Sequence, residues 1–121
     1  MVKLSDREWL VLGVLWDLGE AALGEVTQAL YQETGWNRNT VFTYLTRMEA
    51  KGLVYIKKEG YPRLYRAALS REACQAQARN SFLKQVYRGS TGNLVAAFLK
   101  EKPISEEERR ELRRLLDEME V

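Results

Sequence analysis

Apolar residues recur at helical spacing in six stretches of this chain, and between residues 53 and 67 the pattern changes to two short strand-like runs. Ser5-Asp6-Arg7-Glu8 has the order of a capping box, in which Ser5 bonds the backbone at Glu8 and Glu8 reaches back. Trp9, Leu12, Leu15 and Trp16 follow as one stripe ending near Leu18-Gly19, and aromatics at that spacing are expected in the core. A second helix is expected from about Leu23 to Thr34, with Leu23, Val26, Ala29 and Leu30 inward and Gly35 as its stop. The third, between Trp36 and Gly52, has a cap in Asn37 and a left-handed stop in Gly52. Its apolar face is Val41, Tyr44, Leu45 and Met48, at i, i+3, i+4 and i+7.

The other face of that third helix shows Arg38, Asn39, Thr40, Thr43 and Arg47, with Phe42 between the two faces. It lacks the alternating Glu and Lys of a solvated helix and has no acid before Glu49. Short polar side chains flanked by arginines suit a helix that reads base edges in a DNA major groove. A surface helix that is merely threonine-rich has the same composition. The short connection to the second helix makes the pair a helix-turn-helix. Leu53 to Ile56 reads as a strand, Lys57 to Arg63 as a turn around Gly60 and Pro62, and Leu64 to Ala67 as the returning strand. Lys57, Lys58 and Arg63 sit at the tip. A basic hairpin directly after a reading helix is the wing of a winged helix, placed to touch phosphates or the adjacent minor groove. The alternative is a hairpin charged only for solubility.

From Ser70 the chain is expected to be helical. Ser70 caps a helix that carries Cys74, Ala78, Phe82 and Val86 on one side and reaches about Tyr87, with a break at Gly89. Ser90 or Thr91 starts a short helix with Leu94, Val95, Phe98 and Leu99 apolar, ended by Pro103. Ser105 to Glu108 is a second capping box, opening a helix with Leu112, Leu115, Leu116 and Met119. These three helices have too little apolar surface for a core of their own, and an unpartnered stripe seeks a partner. The economical partner is a second copy, through Phe82, Val86, Leu94, Val95, Phe98, Leu112, Leu115 and Leu116. The alternative is that the tail packs back on the winged part. The expected fold is mainly α with a small β-hairpin: a winged helix-turn-helix domain over residues 1–69, then a helical dimerisation domain over residues 70–121.

Charge sharpens this picture. The 121 residues carry a net +2, but unevenly. Residues 1–35 hold two basic against six acidic side chains, and residues 36–66 hold seven basic against two acidic. The remainder holds ten against nine. The positive charge therefore collects around the candidate reading helix and hairpin, as phosphate binding requires. No apolar run approaches a membrane span, and the start M-V-K-L-S-D-R-E has no apolar leader segment. Histidine is absent and Cys74 is the single cysteine, so no disulfide, metal site or cofactor is expected and a cytoplasmic location is. Catalysis has no nucleophile and base to work with, and no Gly-rich phosphate loop occurs. An enzyme is not expected.

Nearly the whole chain resembles the penicillinase repressor family, which controls β-lactamase and methicillin-resistance genes and includes copper-responsive members. The resemblance rests on L-S-D-R-E-W-L-V-L-G-V-L-W (Leu4 to Trp16) and W-N-R-N-T-V-F-T-Y-L-T-R-M-E-A-K-G-L-V (Trp36 to Val54). It extends through F-L-K-Q-V-Y-R-G-S (Phe82 to Ser90), L-V-A-A-F (Leu94 to Phe98) and I-S-E-E-E-R-R-E-L-R-R-L-L (Ile104 to Leu116). It implies a dimeric winged-helix repressor on a palindromic operator of double-stranded DNA. Family DNA contacts would map onto Arg38, Asn39, Thr40, Thr43 and Arg47, with Lys57 and Lys58 beside the wing. Several members carry Ser-Pro-Lys-Thr where this chain has Asn37-Arg38-Asn39-Thr40, so the family's TACA/TGTA half-sites do not carry over directly.

Two departures bear on induction. Members that answer β-lactams are cut between an Asn and a Phe, and the matching pair here is Ala97-Phe98, which does not support that signal. Copper-responsive members bind metal through a C-terminal cysteine cluster, and Glu118 to Val121 has none. A protein-interaction adaptor on the same fold, without DNA specificity, is the competing function, and it has no reason for the positive charge at residues 36–66. If Leu94 to Leu99 still serves an unidentified protease or sensor, host lysate will cut the purified protein at Ala97-Phe98 when the inducing stress is applied. An intact chain throughout, with and without cell-wall antibiotic, counts against it.

Overall fold

The computed structural model describes residues 3–120. Helix α1 (Asp6–Leu18) starts at the expected capping box: Ser5 Oγ accepts from the Glu8 N–H at 3.2 Å, and Glu8 Oε1 accepts from the Ser5 N–H at 2.9 Å. Val11, Leu12 and Leu15 are buried. Trp9 and Trp16 are only half-buried and meet edge to face at 5.9 Å, at the margin of the core and not within it. The reason is polar: the Trp16 ring N–H must find an acceptor, and it donates to the Leu69 carbonyl at 2.9 Å. Helix α2 (Leu23–Thr34) buries Val26 and Leu30, while Ala29, expected inward, is exposed.

Helix α3 (Arg38–Ala50) begins where Asn37 Oδ1 accepts from the Thr40 N–H at 2.9 Å. Val41, Leu45 and Met48 are buried. Gly52 follows with φ +78, a conformation that an L side chain resists, and it lets the Leu53 N–H reach the Met48 carbonyl at 2.9 Å. Leu53 thereby becomes a buried plug ahead of the sheet, and β2 (Val54–Lys57) starts one residue later than the sequence suggested. Strand β3 (Leu64–Ala67) returns antiparallel, pairing Val54 with Ala67 and Ile56 with Tyr65. A third strand was not foreseen. The two residues of β1 (Ala21–Ala22) pair with Tyr65 and Leu64, giving the order β1-β3-β2. Two alanines have no pattern to announce a strand.

The chain divides into two compact units, Met1–Ala78 and Arg79–Val121. The first is a winged helix with one core, and it also holds the start of α4 (Arg71–Tyr87). Ser70 Oγ accepts from the Ala73 N–H at 3.1 Å, and Cys74 is buried. The Arg71 guanidinium is 2.7 Å from Asp17 Oδ1 and lies 5.5 Å from the centre of the Trp16 ring. The second unit holds the rest of α4 with α5 (Thr91–Glu101) and α6 (Glu106–Glu118), started by Ser90 and by the expected Ser105 capping box. Neither α5 nor α6 buries a side chain completely.

Glu8 is the one buried charge among the described residues. Its second oxygen accepts from Lys51 Nζ at 2.8 Å, which ties the start of α1 to the end of α3. Burial pushes the Glu8 carboxyl up, but hydrogen bonds from Lys51 and Ser5 outweigh it and hold the group below the usual carboxylate range. A depressed folded-state value means stability that is present above the ordinary carboxylate pKa and lost as pH falls through the lowered one. Lys51→Met is expected to cost about 1–2 kcal/mol at neutral pH. The gap from wild type should close as pH falls through the lowered Glu8 value, because a protonated Glu8 gains nothing from Lys51. Thermal melts followed by circular dichroism between about pH 3 and pH 7 check both effects.

Candidate nucleic-acid interface

The roll of α3 about its own axis decides what this surface offers. With Val41, Leu45 and Met48 fixed inward, a turn of 100° per residue puts Asn39, Thr43 and Thr46 on the opposite side. All three are exposed. Arg47 and the half-buried Thr40 flank this stripe on one side, and Arg38 and Phe42 on the other. The structure therefore brings the five expected α3 residues together and adds Thr46. Its signal was in the sequence, because it lies seven residues after Asn39 and three after Thr43.

The polar atoms of the stripe are not equivalent. Thr43 Oγ1 donates to the Asn39 carbonyl at 2.9 Å, so its hydroxyl hydrogen is engaged and its methyl and lone pair remain. The side chains of Asn39 and Thr46 make no hydrogen bond within the chain among the described residues, so their donors and acceptors stay available. Trp36 stacks on Tyr44 with ring centres 4.5 Å apart and planes 10° apart, which pins the loop before α3 against the helix.

The basic residues separate into engaged and open groups. Lys51 belongs to Glu8. Lys58 Nζ lies 3.4 Å from Glu49 Oε2, so this residue of the expected wing leans back toward α3. Arg66 stacks over the Tyr55 ring at 4.5 Å and keeps its charge at the outer face of the hairpin. Arg38, Arg47, Lys57 and Arg63 make no ion pair among the described residues and are exposed. A guanidinium nitrogen of Arg38 lies 3.9 Å from where a Cβ on Gly24 would sit, so this side chain covers the first turn of α2. In β2 the burial alternates, with Val54 and Ile56 inward and Tyr55 and Lys57 outward. The positive surface thus runs along α3 and the turn end of the hairpin.

The residues expected to join two copies lie in the second unit. Phe82, Val86, Val95, Phe98, Leu112, Leu115 and Leu116 are exposed there, and Leu94 is half-buried. The Phe82 and Tyr87 rings meet at 5.9 Å. Ala97-Phe98 sits inside α5, with the Phe98 carbonyl accepting from the Lys102 N–H at 3.1 Å. A protease needs extended chain, so a cut at this bond requires α5 to open locally first.

Residues 4–118 match the family described as penicillinase repressor. The chain is 30% identical over 116 residues to a penicillinase repressor of Bacillus licheniformis, covering 96% of this chain and 91% of the relative. It is 25% identical over 115 residues to the methicillin resistance regulatory protein MecI of Mammaliicoccus sciuri, covering 95% and 94%. Its fold is similar to the solution structure of the monomeric form of Bacillus licheniformis BlaI in complex with the blaP half-operator. That match has a TM-score of 0.52 and 28% identity, over 59% of this chain and 87% of the other.

Proposed function

The chain belongs to the penicillinase repressor family, and on that premise we propose that it is a DNA-binding transcriptional repressor acting as a dimer on a palindromic operator in the cytoplasm. The observation that carries the proposal is the outward stripe of Asn39, Thr43 and Thr46, flanked by Arg38 and Arg47, neither of them in an ion pair among the described residues. In a major groove, the Asn39 amide suits the paired donor and acceptor of adenine, and the Thr43 methyl suits the methyl of thymine. Arg38 and Arg47 reach base edges or phosphates beside them, with Thr40 at the helix start. Lys57, Lys58 and Arg63 hold the hairpin to the backbone without reading sequence.

Dimerisation supplies the second reading helix. Large apolar side chains on α4, α5 and α6 are 37% to 67% exposed, so covering each is worth about half of the 1.5–3 kcal/mol of full burial, which a second copy of the same surface would provide. On α6 the stripe Leu112, Leu115, Leu116 and Met119 repeats at i, i+3, i+4 and i+7. The relative's monomeric form was seen on a half-operator, which is the stoichiometry of one copy per half-site. No helix among the described residues is long and apolar enough to cross a membrane.

Selection of genomic fragments on the purified protein, followed by salt titration of the best fragment, tests the proposal. A palindrome with a steep salt slope is the expected result, and enrichment indifferent to sequence would overturn it. Arg47→Ala should weaken the selected site by about 1–3 kcal/mol if Arg47 reads a base. Glu49→Gln should act in the opposite direction. It frees Lys58, so affinity for all DNA rises about two- to threefold and the salt slope steepens by up to about one.

A further inference from the structure

Tyr61 stands almost wholly in solvent in the turn between β2 and β3. Its side chain is 98% exposed, and the next most exposed large apolar residue among those described, Leu116, reaches 67%. Three other tyrosines of the winged unit are engaged, Tyr44 stacked on Trp36, Tyr55 under Arg66 and Tyr65 buried, while Tyr31 on α2 is 61% exposed. Gly60, at φ +83, reverses the chain and leaves Tyr61 at the apex of the hairpin, ahead of Pro62 and Arg63. Lys57 and Arg63, neither in an ion pair among the described residues, stand where the turn leaves β2 and enters β3.

A tip made only for solubility would be polar, and a protein-docking surface needs an apolar patch, not one ring. A single aromatic on a cationic arm has the form of a minor-groove probe. Cations follow the strong negative potential of a narrow minor groove, and an apolar wedge works against sugars or an opened base step. The phenol hydroxyl can donate to the N3 and O2 acceptors that A·T pairs leave unobstructed, whereas the guanine amino group of a G·C pair blocks that approach.

We infer that Tyr61 is a specificity-determining residue whose ring enters the minor groove beside the bases read by α3 and selects A·T-like steps there. This rests on the DNA-binding reading above. It adds a second readout, of groove shape, at positions α3 does not touch.

The test uses the operator selected by the full-length protein, remade with flanking pairs of A·T, G·C or inosine·cytosine. Inosine·cytosine has the minor groove of A·T and the major groove of G·C, so it separates the two routes of recognition. Wild type is expected to bind A·T and inosine·cytosine flanks alike and G·C flanks roughly tenfold more weakly, as loss of an aromatic contact implies. Tyr61→Ala should erase that preference while leaving the salt slope and the melting temperature unchanged. Tyr61→Phe, which keeps the ring and loses the hydroxyl, should fall between wild type and Tyr61→Ala. Flank preference surviving in Tyr61→Ala, inosine·cytosine behaving like G·C, or equal weakening on every flank would each overturn the inference and leave the repressor reading standing. Selection of no DNA by the wild type would overturn both.

Discussion

Burial of one stripe on α3 governs everything the winged unit presents. Val41, Leu45 and Met48 enter the same core as Leu12 and Leu15 of α1, Val26 and Leu30 of α2, and Ile56 and Tyr65 of the sheet. A helix whose apolar stripe is claimed from three directions has a fixed roll. Each buried side chain of this size contributes about 1.5–3 kcal/mol, far more than any exposed threonine or asparagine can contribute by turning inward. The polar stripe is therefore held outward by the apolar one. Asn37 sets where α3 begins, Gly52 sets where it ends, and the Glu8–Lys51 pair ties that end to α1. The outward face is left to side chains that take no part in folding.

Periodicity made most of this legible. Capping boxes at Ser5 and Ser105, the Asn37 cap and the stops at Gly35 and Gly52 are local devices, complete within a few residues, and each is where the sequence placed it. What stayed hidden depends on partners distant in sequence. The strand at Ala21–Ala22 exists only because Leu64 and Tyr65 pair with it. Trp16 sits at the core margin because its N–H finds the Leu69 carbonyl, 53 residues away. Lys58 leans toward Glu49, so the seven basic residues at 36–66 are not seven free charges. Thr46 was legible and overlooked, whereas the isolation of Tyr61 could be seen only once the folded neighbours of the other tyrosines were known.

The two units divide the labour unequally. The winged unit completes its own core, and the outward surface of α3 and the hairpin is polar and basic. The unit at Arg79–Val121 leaves large apolar side chains on α4, α5 and α6 in solvent, so its construction calls for another surface. In the proposed dimer a symmetric second copy answers that need and supplies a second α3. On that proposal one physical deficit, unburied apolar area, links assembly to recognition. The helical setting of Ala97-Phe98 adds a constraint on release: a protease acting there must wait for α5 to open.

Photocrosslinking addresses the proposed interface directly. With 4-thiothymine placed at successive positions of the selected operator, the sulfur lies in the major groove and bonds whatever side chain stands against it. Peptide mass mapping of the adducts is predicted to place them within Arg38–Ala50, clustered at Asn39, Thr43 and Thr46. Adducts on α5 or α6, or none on α3 at any position of a tightly bound site, would contradict the assignment of α3 as the reading helix.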